Sequence, residues 1–293
     1  MGTIKLSNGI FSASISPKGA ELKSLVEEET GTEFIWSGDP AWWSGTAPVL
    51  FPIVGGLKNK EYLYKNKKYS LPNHGFARQS LFKILKQSPD QAVFTLNSDQ
   101  EIRKMYPFDF SLSVIFRMEP VGLAVQYDVI NRGSNIMLFS IGSHPAFKLP
   151  FAGGYLENYY IHFSEEEDMP RYFFEDGLYR DETAPVLSNC RQISLNSTIF
   201  NDGPIIFKNP KSSEIHIKNS KNSKEIIVST GPIPYLAIWS KPNRAPFLCI
   251  EPWYGLPDRT DADQRFETKE GIISLAPGET HSTTYRIEIK GIN

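Results

Sequence analysis

Cysteine is nearly missing from this chain. Only Cys190 and Cys249 occur among 293 residues, with no CxxC pair and no Cys/His cluster. That excludes a disulfide scaffold and a structural zinc site, and it points to a reducing compartment. Long apolar runs are also missing: no stretch approaches the roughly 20 residues of a membrane-spanning helix. The N-terminus, Met1 to Ser16, alternates like a strand and does not set an apolar block behind a cationic start, so it does not read as a signal peptide. The chain is expected to be soluble and cytoplasmic, as a monomer or weak homodimer. No charge excess exists either. The 31 Lys and Arg against 33 Asp and Glu leave a net −2, with both signs scattered, which argues against nucleic acid and membrane as partners.

Motifs for metals, nucleotides and activated serines are absent. No HExxH, P-loop, GxSxG or dinucleotide fingerprint occurs, and neither acidic run, Glu27–Glu29 or Glu165–Asp168, has the spacing of a calcium loop. Those runs read as solvated turns. Asn196-Ser197-Thr198 fits a glycosylation acceptor, which has no meaning without secretion. No metal and no cofactor are expected.

Helix signals are scarce. Ser98-Asp99-Gln100-Glu101 has the form of a capping box and predicts one short helix ending near Pro107. Strand signals dominate: 110–118 and 123–130 form the clearest hairpin, with Phe110, Leu112, Val114 and Phe116 on one face. Residues 61–64 and 67–71 pair around Lys65-Asn66, and further strands are read at 11–15, 33–36, 136–143, 159–163, 214–218, 225–229, 235–239, 247–250 and 283–290. With 21 Gly and 21 Pro punctuating short strands, no repeat and no linker, residues 1–293 read as a single all-β sandwich domain of two large sheets.

Three stretches carry polar groups that a sandwich does not need. Gly142-Ser143-His144-Pro145-Ala146-Phe147 ends the 136–143 strand. On period-two alternation Ile136, Leu138, Ser140, Gly142 and His144 share a face that tapers toward the imidazole, leaving room for another group. A core-edge histidine explains the stretch equally well. Asn73-His74-Gly75-Phe76-Ala77-Arg78 leaves a strand edge after Pro72, placing His74 and Arg78 in a loop. In Cys249-Ile250-Glu251-Pro252-Trp253-Tyr254-Gly255, Phe247, Cys249 and Glu251 share a face, and burial there would raise the Glu251 pKa toward that of a useful base. Pro252 is expected to end the ladder, and Trp253 and Tyr254 offer flat faces with polar edges. Of the other histidines, His162 reads as packed, His216 as exposed and His281 as peripheral. An acid, a base and aromatic walls, with no nucleophile, fit proton transfer on a small neutral polar molecule.

Taken together and in this order, 74–78, 142–147 and 251–255 resemble the aldose 1-epimerase (galactose mutarotase) superfamily, in its LacX-type branch, over essentially the whole chain. The resemblance implies a β-supersandwich with an open carbohydrate groove that interconverts the α and β anomers of a free aldose. It assigns Glu251 as the base on the C1 hydroxyl, His144 as the acid on the ring oxygen and His74 as a second histidine on that side. Arg78, Asp202, Trp253, Asn59 and Phe147 follow as sugar contacts, with Trp239, Trp253 or Phe147 as the stacking platform. Two family arginines are missing: Gly56 stands at the first position, and Ser44 replaces the one that binds phosphate in the hexose-6-phosphate branch. A mutarotase of an unphosphorylated hexose such as galactose or glucose is the leading expectation. A hexose-6-phosphate epimerase and a non-catalytic sugar-binding module are the alternatives.

Overall fold

The computed structural model describes residues 2–291; of the strand-like N-terminal stretch only Met1 lies outside them. Nine antiparallel strands form the larger sheet, in the spatial order 178–194, 159–175, 214–219, 225–229, 280–290, 122–131, 110–119, 91–97 and 83–87. The second sheet runs 205–208, 235–239, 247–254, 141–143, 49–50, with 146–148 also paired to 247–254. One apolar core draws on both: Leu112, Val114 and Val129 from the first meet Phe207, Ile238, Leu248 and Ile250 from the second. Among the described residues no helix is long and apolar enough to cross a membrane.

Local chemistry explains the elements that were legible. Phe110–Glu119 pairs with Gly122–Asn131 so that Val114 lies opposite Tyr127, with the apolar positions buried. Lys65 and Asn66 both take positive φ, as a two-residue turn matching the strand twist requires. The helix, Gln100–Met105, is capped by Asp99 and not by Ser98: Asp99 Oδ1 accepts the Ile102 N–H at 2.8 Å. Ser98 stays tied to the neighbouring strand, where its N–H donates to the Phe110 carbonyl. Two adjacent cap formers were available, and the ladder claimed the first.

Four expectations are corrected. The 136–143 strand splits into Met137–Phe139 and Ile141–Ser143, which belong to different sheets, because Ser140 donates its N–H to Pro52 at 2.8 Å outside either ladder. Pro252 does not end its strand, which runs Phe247–Tyr254. Ile250, of the same parity, donates toward Pro145, so the donor that Pro252 lacks faces the break between Ser143 and Ala146, where no ladder partner needs it. The 165–168 run is strand, not solvated turn. It lies in a hairpin of two 17-residue arms, Tyr159–Glu175 and Leu178–Ser194, and the buried Glu167 carboxylate accepts the Ser212 N–H at 2.7 Å. Glu27 is buried as well and pairs with Lys224 at 3.2 Å, leaving only Glu28 and Glu29 exposed. His216 is half-buried and meets Glu225 at 3.1 Å, so it is not an exposed histidine.

Candidate active site

The outer face of the smaller sheet carries a cleft of about 600 Å³, in the range of small-molecule sites. Strand alternation turns Leu248 and Ile250 into the core and leaves Cys249, Glu251 and Trp253 on the outer face. Strands 141–143 and 146–148 pair with this strand in one continuous register, Gly142 to Trp253 and Ala146 to Cys249. His144, in the gap between them, therefore stands opposite Glu251. Its Nε2 lies 3.3 Å from Glu251 Oε2, and the two residues are 7 % and 1 % exposed.

The His144 face does not leave the space that its taper implied. A Cβ on Gly142 would stand 2.8 Å from Trp253 Cδ1, so the missing side chain makes room for the indole. A Cβ on Gly255 would lie 2.4 Å from Ser140, so the small serine accommodates neighbouring backbone. Beside the imidazole the cleft is walled by tryptophans. There Trp43 stacks on His144 with centroids 4.7 Å apart, and Trp239 meets it edge-on at 5.7 Å.

His74 reaches the same cleft from a tightly determined turn. It takes φ +62°, a conformation uncommon outside glycine, and Gly75 follows at φ +70° with Phe51 O only 2.2 Å from where a Cβ would be. The Gly55 N–H donates to His74 Nδ1 at 3.0 Å, and the His74 N–H donates back to the Gly55 carbonyl at 2.8 Å. Accepting at Nδ1 leaves the neutral ring with its proton on Nε2, so His74 serves the cleft as a donor. Its ring is perpendicular to that of His144, 5.7 Å away.

Burial sets the electrostatics of the group. It pushes His144 well below its ordinary value, with His74 adding to the effect. His74 falls to about 3, again through burial first and the Arg78 charge second. Burial pushes Glu251 well above the usual carboxylate range, and the Trp253 indole opposes it. Burial thus disfavours charge on all three groups, keeping both imidazoles uncharged near neutral pH and favouring the protonated form of Glu251.

Of the other expected sugar contacts, the cleft gathers Arg78, whose side chain forms no ion pair among the described residues, and Trp253, which is almost fully buried. Trp239 is also on the wall. Phe147 is not: it lies in the core at 0 % exposure. Asn59 is exposed in a left-handed turn outside the lining, and its neighbour Lys60 lines the cleft instead. Asp202 points to solvent beside Arg171 at 3.8 Å, while the adjacent Gly203 and Pro204 contribute the wall.

Sequence reasoning missed Trp43 and the tip of the long hairpin, where Phe174, Asp176, Gly177 and Leu178 line the cleft. Trp42-Trp43 between Pro40 and Gly45 was a detectable signal, since paired aromatics in a loop need a reason. Gly45 lies directly beneath the Trp43 ring, with a Cβ position 2.5 Å from it. Asp176-Gly177 was a detectable turn, with both φ positive. The tip also approaches Gly56. A Cβ at 56 would make ordinary contact with the Gly177 carbonyl at 3.4 Å and Leu178 at 3.5 Å, so the hairpin tip borders the position where the family arginine stands.

Comparison with known proteins agrees with this geometry. The sequence model of the family described as aldose 1-epimerase matches residues 2–288. The plasmid-encoded protein LacX of Lactococcus lactis subsp. lactis is 30 % identical over 98 % of this chain and 99 % of its own length. The galactose mutarotase related enzyme of Lactobacillus acidophilus superposes with a TM-score of 0.93 at 33 % identity, covering 98 % of this chain and 97 % of that one. A galactose mutarotase-like protein from Lactobacillus casei superposes at 0.92 with 28 % identity, covering 98 % and 100 %. With a matching family model across the chain, a full-length relative and a shared supersandwich, this protein belongs to the aldose 1-epimerase family as a LacX-type, epimerase-class isomerase.

Proposed function

We propose that the protein is a cofactor-free mutarotase of an unphosphorylated aldohexose, galactose or glucose, acting in the cytoplasm as one domain over residues 1–293. The observation that carries the reading is the cross-strand pair at the cleft floor, His144 Nε2 and Glu251 Oε2 at 3.3 Å. The two oxygens of an anomeric centre are both bonded to C1, and two neighbouring groups on one cleft floor can reach both.

With one proton shared by the pair, its passage from Glu251 to His144 once the two side chains close from 3.3 Å into hydrogen-bond geometry gives the working carboxylate–imidazolium form. Glu251 Oε2 then takes the proton of the C1 hydroxyl, while His144 Nε2 gives its proton to the ring oxygen. The C1–ring oxygen bond breaks as the C1 carbonyl forms. The His74 Nε2–H supports the ring oxygen as a neutral donor, and Trp43 holds the His144 ring in plane. Rotation about C1–C2 and the reverse transfers close the other anomer. Each positioned acid or base contributes about 10²–10⁴-fold, enough for a reaction that already proceeds in water.

The test is anomer exchange by NMR or polarimetry on freshly dissolved α-galactose and α-glucose. The wild type accelerates exchange, and Glu251→Gln and His144→Ala each lower the rate by about 10²–10⁴-fold. Equal rates for wild type and Glu251→Gln would refute the proposal. Arg78 and Lys60 on the wall favour a second reading in which the sugar carries a phosphate. Faster exchange of the 6-phosphate than of the free hexose, lost in Arg78→Ala, selects that reading.

A further inference from the structure

Cys249 has no part in the proton transfers, yet it lies beneath them. It precedes Glu251 by two positions on the same face, and its paired neighbour Ala146 is two residues beyond His144. One ligating atom from each of His144, Cys249 and Glu251 falls within 4.8 Å of the others, and all three side chains are buried. Glu251 Oε2 and His144 Nδ1 are buried without a hydrogen-bond partner, and the Nε2–Oε2 approach at 3.3 Å lies outside hydrogen-bond geometry. A buried oxygen left unpartnered and aimed at an imidazole and a thiol is a donor set that lacks its acceptor.

We propose that His144, Cys249 and Glu251 bind a soft divalent cation such as Zn²⁺ or Cd²⁺ and that loading this site halts anomer exchange. Ligand bonds of about 2.0–2.3 Å set the edges of a tetrahedral site at roughly 3.3–3.7 Å. The imidazole–carboxylate distance of 3.3 Å already matches, and the thiol, within 4.8 Å of both, closes the rest by at most about 1.1–1.5 Å. The ion enters from the cleft past His144 and Glu251, with Cys249 as floor. The fourth position faces the sugar space and takes a water or a sugar hydroxyl. The thiol proton and the proton shared by the pair leave to solvent as the metal–sulfur and metal–oxygen bonds form. Mixed N, S and O donors select Zn²⁺ and Cd²⁺ over Mg²⁺ and Ca²⁺. Exchange stops because the two atoms that move protons, Nε2 and Oε2, are then both bonded to the ion. This second half rests on the mutarotase reading; the site itself does not.

Cd²⁺ titration of the intact protein, followed by the thiolate-to-cadmium charge-transfer absorbance, tests the site without any sugar. One band per chain is expected, lost in Cys249→Ala and Cys249→Ser and retained in Cys190→Ala, the other thiol being elsewhere and half-exposed. Cys249→Ala is expected to keep anomer exchange and to raise the inhibitory Zn²⁺ concentration by at least about 10–100-fold, as losing even an outer partner of a metal does. Absence of the band in the wild type, or its loss with Cys190 and not Cys249, overturns the site. Zn²⁺ that binds without slowing exchange overturns the inhibition. A wild type that shows the band and exchanges no sugar retains the site and refutes the mutarotase reading instead.

Discussion

Lys269 and Asp258 form an ion pair at 2.6 Å with each side chain only 5 % exposed, and the pair sits where three parts of the cleft wall meet. Asp258 Oδ2 accepts the Lys58 N–H at 2.9 Å, its backbone N–H donates to Gly56 O at 2.8 Å, and its carbonyl accepts the Tyr179 N–H at 3.1 Å. One residue thus joins the 56–58 segment, the Pro257 wall and the root of the hairpin tip. Lys269→Met leaves a buried carboxylate facing an apolar stem, a change that costs about 3–5 kcal/mol. For a chain of this size about 2 °C of melting temperature is lost per kcal/mol, so a drop of about 6–10 °C is expected. Asp258→Asn alone strands the ammonium, which burial already makes easier to deprotonate, so its cost is smaller. The double variant Lys269→Met/Asp258→Asn removes both charges and keeps an acceptor for Lys58, and it should recover most of the loss. Thermal and urea unfolding of the three variants, with anomer exchange at 25 °C, measure this. KM should rise in Lys269→Met with kcat little changed, because the wall loosens while the His144–Glu251 pair stands on the sheet. A double variant as unstable as the two single losses added together would refute the reasoning. So would a Lys269→Met loss under about 1 kcal/mol.

Three further outcomes follow from the site. His74 is neutral in the folded protein down to about pH 3 while an unfolded histidine charges near 6.5, so its contribution to stability is full above 6.5 and is lost as pH falls toward 3. His74→Asn tolerates the left-handed backbone and keeps an acceptor for Gly55, and it should flatten urea stability against pH in that window by up to about 1.4 kcal/mol per unit; an unchanged slope contradicts the buried neutral ring. Gly142→Ala drives a methyl to 2.8 Å from the Trp253 ring and 3.2 Å from Val54, costing about 1–3 kcal/mol and lowering kcat/KM through the displaced indole; wild-type melting and kinetics would show the indole to be free to move. Asp176→Ala at the hairpin tip should raise KM several-fold while Asp202→Ala leaves it unchanged, since only the former lines the cleft; the reverse pattern in exchange kinetics would return the sugar-binding role to Asp202.

The strands with clean alternation, 110–118 and 123–130 above all, were legible because period-two burial and a short turn are local properties. The hairpin of 159–194 was not, because acidic residues, Pro170 and Pro185 interrupt its alternation and its register shifts repeatedly along the arms. Among site residues, His74, Arg78, His144 and Glu251 stood out by type and position. Phe147 misled because the stretch around it was read as one unit, whereas its side chain turns into the core.

The sequence by itself determined the all-β class and the short turns, since each depends on neighbours a few residues away, and through its family resemblance it singled out His74, His144 and Glu251 as candidates. Only the tertiary structure decided that His144 faces Glu251, because their meeting depends on the register between strands more than 100 residues apart. The same long-range pairing put Trp253 into the space that Gly142 leaves and set the hairpin tip against Gly56. Non-local pairing places side chains that no local pattern encodes.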